Sequence, residues 1–191
     1  MPQPAGGRGR AVGRPLTTRP GHNRFEWDYR WNGNGPMVAP GRYAVRLTSG
    51  AVNQSKAFTI KVDPRVTTDG VTQADLVAQE QFLLRVRDAI ARANGLRGRI
   101  QQAMQQKGVA PPSAPGIGES PESARYSDPL QGLWARVVSA GGAYPEPMLI
   151  DQLQNIQRMV GSADQKVGQE AIKRFDDLLK ELKAIEAALP R

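Results

Sequence analysis

The apolar pattern of this chain changes period once, at Thr72, and that change constrains the fold more than any other feature. Before Thr72 apolar residues alternate with polar ones; after it they recur every three to four positions. A period near 2 suits strands and one near 3.6 suits helices. The expected class is therefore α+β, an antiparallel sheet followed by an antiparallel helical bundle.

The alternating part begins at Gly21–Trp31. Phe25, Trp27, Tyr29 and Trp31 share one parity, while Arg24, Glu26, Asp28 and Arg30 share the other. That alternation predicts a half-buried antiparallel strand. Two of the three tryptophans lie here, so a core is expected to nucleate at this point. Asn32, Gly33, Asn34, Gly35 and Pro36 form dense turn chemistry, and Pro40-Gly41 marks a second turn. Arg42–Thr48 alternates again, with Tyr43, Val45 and Leu47 inward and Arg42, Arg46 and Thr48 outward. After a loop over Ser49–Gln54, a third strand is predicted at Lys56–Val62, with Phe58, Ile60 and Val62 on one face and Asp63-Pro64 closing it. Three strands fall short of the roughly seven that a β-sandwich needs. Such a sheet is either completed by residues outside the chain or capped by the helical half.

Thr72 and Asp75 form a capping-box pattern with Asp in place of Glu or Gln, which starts a helix. Leu76, Leu83, Val86, Ile90, Ala93, Ile100 and Met104 mark its stripe, interrupted by Gln79 and Arg97. The helix is expected to reach Gln106, with Gly95 and Gly98 as weak points costing about 1 kcal/mol each against Ala. A flexible crossover over about 107–127 follows. Asp128-Pro129 sets an N-cap and a proline at the first helical position for a short helix to Ser139. A third helix over Glu146–Val160 has Leu149, Leu153, Ile156 and Val160 on one stripe. The last, over Gly168–Leu189, has Ile172, Phe175, Leu179, Leu182, Ile185 and Leu189 on its buried face. These stripes read as the core of one bundle rather than as grooves for partner helices.

The net charge of +8 is carried by residues 1–66, which hold eleven Lys/Arg against Glu26, Asp28 and Asp63; the remainder has fifteen bases and fifteen acids. Residues 1–20, with Arg8, Arg10, Arg14 and Arg19, form a Gly/Pro/Arg arm expected to be disordered. It reads as a solubilising linker more readily than as a phosphate-binding tail. The chain has no cysteine, which excludes disulfides and cysteine–zinc sites. No apolar run approaches the roughly 20 residues of a membrane span. Residues 1–20 also lack the apolar core of a secretory signal.

Candidate sites are few. His22, Glu26 and Asp28 share a parity that could suit a metal or acid/base site. With a single His in the chain and Arg24 and Arg30 between the acids, pairing with Arg42 or Arg46 accounts for them better. Tyr29 and Trp31, beside the glycine-rich turn, are the candidates for stacking on a ligand such as a sugar ring, and Phe25 and Trp27 are expected in the core. Tyr144 and Met148 are expected to wedge between helices. No nucleophile triad, phosphate loop, HExxH or EF-hand pattern occurs. Neither a catalytic residue nor a cofactor or metal is therefore assigned, and the chain by itself is not expected to be an enzyme.

The block Gly21-His22-Asn23-Arg24-Phe25-x-Trp27-Asp28, with Gly35-Pro36-x-x-Ala39-Pro40-Gly41-x-Tyr43-x-Val45-x-Leu47, is similar to the Ig-like domain of flagellar hook-capping proteins. It more closely resembles a region near the C-terminus of large secreted bacterial proteins. Those proteins carry sortilin-like or xyloglucanase-like β-propellers with Asp-box (BNR) repeats, and they are often labelled glycosyl hydrolases. Asp63-Pro64-Arg65-Val66, the helix from Thr72, Tyr144-Pro145-x-Pro147-Met148-Leu149-x-Asp151-Gln152-Leu153 and Ala163-Asp164-Gln165-Lys166 continue the similarity, which covers about Arg19 to Leu189.

The resemblance implies a partial Ig-like domain at 21–66 and a helical bundle at 67–191. Together these would be a non-catalytic accessory module of an extracellular or periplasmic propeller protein, and a fragment of a longer chain. Its implied partners are the β-propeller domain of the same or a longer chain and polysaccharide, with nucleic acid not expected among them. Any hydrolase activity would belong to the propeller, so no catalytic residue carries over. Two other readings remain: an Arg-tailed nucleic-acid binder, and a carbohydrate-binding module using Tyr29 and Trp31.

Overall fold

The computed structural model describes residues 19–33, 35–112, 126–139 and 146–190. The arm up to residue 18, most of the crossover and the Tyr144-Pro145 lead into the third helix lie outside the described residues. The elements are β1 (Gly41–Ser49), β2 (Val52–Ile60), α1 (Pro64–Thr68), α2 (Gln73–Lys107), α3 (Pro129–Val137), α4 (Leu149–Val160) and α5 (Gln169–Ala188). The class is α+β. The chain divides into two compact units, one running to Leu84 and including Asp164–Lys166, the other holding Arg85–Ala163 and the residues from Val167 on.

Among the described residues of the first unit two strands form, not three. β1 and β2 pair antiparallel in unbroken register from Gly41 opposite Ile60 to Ser49 opposite Val52. The expected loop over Ser49–Gln54 shrinks to Gly50 and Ala51, because Gly50 takes a φ of 56° that allows a two-residue turn. The aromatic stretch 22–31 is not a strand. Asp28 accepts a hydrogen bond from the Arg30 amide (3.0 Å), and Tyr29 adopts a φ of 59°. This local side-chain turn competes with extended pairing and breaks the parity after Asp28. Only an isolated bridge between Arg30 and Met37 remains of sheet pairing there.

Asp63-Pro64 does more than end a strand. Asp63 caps α1 by accepting from the Arg65 amide at 2.9 Å, with Pro64 in the first turn, where its missing N–H costs nothing. The Arg65 guanidinium hydrogen-bonded to Asp63 holds that carboxyl below its ordinary range. At the start of α2 the capping box is complete. Thr72 Oγ1 accepts from the Asp75 amide (3.1 Å) and Asp75 Oδ2 accepts from the Thr72 amide (3.0 Å). The bonds from the Thr72 hydroxyl and then its amide lower the Asp75 pKa. Gly108, with φ 67°, ends the helix, and Val109 N–H reaches back to the Met104 carbonyl (2.9 Å).

The second unit is a bundle with three legs. Asp128 caps α3 through the Leu130 amide (2.8 Å) and meets Lys107 at the far end of α2 (3.7 Å), while Arg136 reaches Glu181 of α5 (3.7 Å). Arg85 pairs with Asp176, and Arg92 and Arg99 pair with Glu186, so α2 and α5 run in the same direction. α3 and α4 together form the return leg. The break between them is bridged by Ser139, whose hydroxyl donates to Asp151 in the first turn of α4 and accepts from the Met148 amide (2.8 Å).

The buried seams differ from the expected stripes by one position in places. In α2 the seam passes through Val86, Ala89, Ala93, Leu96, Ile100 and Met104, so Ala89 and Leu96 are buried while Ile90 is half-buried and Arg97 exposed. In α5 it is Ala171, Phe175, Leu178, Leu182 and Ile185, with Ile172, Leu179 and Leu189 only half-buried. Both follow the alternating 3–4 spacing of a packed heptad seam, a narrower stripe than a list of large side chains suggests. α4 buries Leu149, Leu153, Ile156 and Val160 as expected.

Gly95 and Gly98 are exposed on α2, and a Cβ at either would meet nothing within 4 Å. Alanine at both positions is expected to stabilise the protein by about 0.5–1 kcal/mol each. The thermal midpoint, followed by circular dichroism at 222 nm, should rise by roughly 5–10 °C. A midpoint unchanged or lowered would refute the expectation.

Candidate interaction surface

The loop between Trp27 and Pro40 builds an aromatic knot at the base of the hairpin. Val38 N–H donates to the Tyr29 carbonyl (2.8 Å), Trp31 N–H to that of Pro36 (3.0 Å) and Gly35 N–H to that of Trp31 (2.7 Å). Asn32 and Gly33 turn the chain with φ of 51° and 76°. These bonds bury Gly35, Pro36, Val38 and Ala39. Trp27 then lies with its ring centroid 5.4 Å from Tyr29, 6.2 Å from Tyr43 and 6.3 Å from Phe58, and Tyr43 stacks on Phe58 at 5.9 Å. Edge and offset contacts of this kind are the favoured geometries for aromatic pairs. The Trp27 indole donates to the Arg30 carbonyl and the Tyr43 hydroxyl to the Ala39 carbonyl.

Two bonds tie this loop to the start of α2, within the same unit. The Trp31 indole N–H donates to Glu80 (2.5 Å) and the Gln73 amide donates to the Pro40 carbonyl (3.0 Å). Burial, with the Glu80 carboxylate nearby, raises the Tyr43 pKa, so this phenol stays a neutral donor at ordinary pH.

The stacking candidates are thus placed differently from a row. Tyr29 is half exposed and leans on Trp27; Trp31 is exposed and turned toward Glu80. Of the two residues expected in the core, Phe25 is exposed, while Trp27 is half-buried in the knot. The acidic candidates are spent locally. Glu26 pairs with Arg24 (2.7 Å) and Asp28 caps its own turn, so the expected pairing with Arg42 or Arg46 does not form. The reason is again the missing strand, since without it the acids are not cross-strand neighbours of these arginines. Among the described residues no group of three His, Asp or Glu side chains is arranged to hold a metal ion. Of the pair expected to wedge between helices, Met148 is half-buried and Tyr144 lies outside the described residues.

The rest of the hairpin is left open to solvent. Residues directly opposed across β1 and β2 point to the same face. One face therefore carries Tyr43 with Phe58, Val45 with Lys56, Leu47 with Gln54 and Ser49 with Val52; the other carries Arg42 with Thr59, Ala44 with Ala57, Arg46 with Ser55 and Thr48 with Asn53. The aromatic knot covers the base of the first face. Its outer half is bare, with Val45 55%, Leu47 52% and Val52 56% exposed. The sequence placed Tyr43, Val45 and Leu47 inward together, yet only Tyr43 finds a cover. Arg42 and Arg46 have no ion-pair partner among the described residues, and residues 29–62 contain five bases and no acid.

No known protein family, curated protein or solved structure was found to match the chain. Among the described residues, no helix is long and apolar enough to cross a membrane.

Proposed function

We propose that the chain is a non-catalytic accessory module that docks onto a β-structured partner through its hairpin. The observation that carries this reading is the bare outer half of the hairpin, where Val45 and Leu47 neighbour one another on β1 and Val52 stands diagonally across from Leu47, all in solvent, on a sheet that has two strands among the described residues. A hairpin of that kind is marginal in water by itself, and exposed apolar side chains in a row along an open edge strand are the usual mark of a contact surface. The β-propeller proteins that Gly21–Leu47 and the proline-led α4 resemble offer a partner with sheet edges, in an extracellular or periplasmic setting. In this reading the module braces the propeller, and contact with polysaccharide belongs to the partner.

The test is a photo-crosslinking residue, p-benzoylphenylalanine, in place of Leu47, with the gene expressed in its own source cell. The expected result is one discrete crosslink, identified by mass spectrometry, to β-propeller sequence in the same or another polypeptide. No crosslink, or one to an unrelated protein, would overturn the proposal. So would hydrolysis of a polysaccharide by the purified chain alone.

A further inference from the structure

We infer that the docking edge is the outer edge of β1, and that it takes an extended strand whose carboxylates face Arg42 and Arg46 while its apolar side chains lie beside Tyr43, Val45 and Leu47. This rests on the docking reading and adds to it which edge is used and what the partner strand must look like.

The two edges are not equivalent. In a sheet of order β1-β2 each strand has one unpaired side, and among the described residues no third strand covers either. Neither strand contains proline, and the register runs without a bulge, so the backbone of both can accept another strand. Proteins protect such edges with a charge pointing into the apolar face. β2 has that protection, because Lys56 stands on its apolar face between Phe58 and Val52, with the polar Gln54 beside it. β1 has none; its apolar face between Gly41 and Ser49 is Tyr43, Val45 and Leu47 only.

The opposite face of β1 selects the partner. Arg42 and Arg46 stand four positions apart on it, without an acid in residues 29–62 to neutralise them. A second copy of β1 adding to this edge would bring these arginines near one another, and like charges in cross-strand positions destabilise pairing. A strand with carboxylates there gains instead. The period of 2 then writes the partner's pattern: an acid opposite Arg42, apolar residues opposite Tyr43 and Val45, an acid opposite Arg46 and an apolar residue opposite Leu47. That is acid, apolar, any, apolar, acid, apolar, read in the direction of β1. Backbone hydrogen bonds supply the attachment and the alternate side chains supply the selectivity.

The test uses the full chain and a capped synthetic peptide with Glu at the two acid positions and Val at the three apolar ones, in both directions. Binding is read by nuclear magnetic resonance and by amide exchange. The expected result is slowed exchange confined to Gly41–Ser49. Replacing both Glu with Lys should weaken binding about fivefold or more, the scale of two exposed ion pairs. N-methylation of the peptide amides on the pairing edge should abolish it. The Arg42→Glu/Arg46→Glu double variant should prefer the Lys peptide.

Protection falling on Val52–Ile60, or equal binding of the Glu and Lys peptides, would overturn the inference. Binding of a DNA or RNA oligonucleotide that displaces the Glu peptide from Arg42 and Arg46 would do the same, since the two arginines would then serve phosphates. The two proposals fail separately. A Leu47 crosslink to a propeller with no protection of β1 by the peptide removes the edge assignment alone. Loss of the crosslink removes the docking reading itself.

Discussion

Phe175→Ala is expected to cost about 3–5 kcal/mol, the range for truncating a buried aromatic side chain. Phe175 is completely buried in the α5 seam, and the Arg85 guanidinium lies 5.2 Å from its ring centroid. Truncation removes packing in the middle of the bundle and the aromatic face beneath that cation, and neighbours fixed on three legs cannot collapse into the space. Domains are stable by only about 5–15 kcal/mol, so the loss takes a large share of the margin. At roughly 4–8 °C per kcal/mol for a unit near 100 residues, the thermal midpoint should fall by about 15–30 °C. Melting followed at 222 nm checks this, with Phe175→Leu as a milder companion expected to lose much less. A fall of under about 5 °C for the alanine variant would contradict the burial on which the bundle rests.

Gly35→Ala has the second large effect, through the backbone rather than the core. A Cβ at position 35 would stand 2.4 Å from the Trp31 carbonyl oxygen and 2.7 Å from the Trp31 Cβ. Neither atom can swing aside as the end of a long side chain can, so the turn must open. The Gly35–Trp31 and Trp31–Pro36 backbone bonds are lost with it, and so is the aim of the Trp31 indole at Glu80. Overpacking of this kind costs about 1–3 kcal/mol. The effect should be local. Of the three indole N–H resonances, those of Trp27 and Trp31 should shift or broaden while that of Trp134, in α3, stays in place. Three unmoved resonances would show that the turn tolerates a side chain.

These two sites differ in how they could be read beforehand. Phe175 is legible from sequence, because the 3–4 spacing through Leu182 and Ile185 puts it on the buried face whatever the partner helix is. The sequence pointed to Ile172 and Leu179 as its neighbours in the seam, whereas the structure buries Ala171 and Leu178. Both sets satisfy a helical stripe, and the packed choice depends on where the other legs stand. The same ambiguity exchanged Ala89 and Leu96 for Ile90 and Arg97 in α2. At Gly35 the turn composition was plain, but the contact with Trp31 depends on how the loop closes.

The aromatic stretch gave the clearest departure. Alternation over 22–31 is strong, yet Asp28 offers the next turn an alternative hydrogen bond and Tyr29 enters the left-handed region. A periodicity count does not weigh that competition. The signal was present in Asp28 and the Asn/Gly turn, as it was in Asp63-Pro64, which repeats the start signal of Asp128-Pro129 and begins a helix in the same way.

What the sequence by itself determined is the class and the local grammar. These are the change of period at Thr72, the hairpin with Tyr43, Val45 and Leu47 on one side, the Thr72–Asp75 box, the Asp128 cap and the existence and approximate ends of the four larger helices. All of these depend on residues within a few positions of one another, where propensity, capping and periodicity act. What only the tertiary structure decided is which side chains those elements meet. It set the one-position choices within the helical seams, the joining of α3 and α4 into one leg and the approach of Trp27 to Tyr43 and Phe58. It also left Val45 and Leu47 in water although they alternate as a core face does. Alternation states that a face is apolar; whether that face is covered depends on residues far away in the chain or in a partner, and no local pattern carries that information.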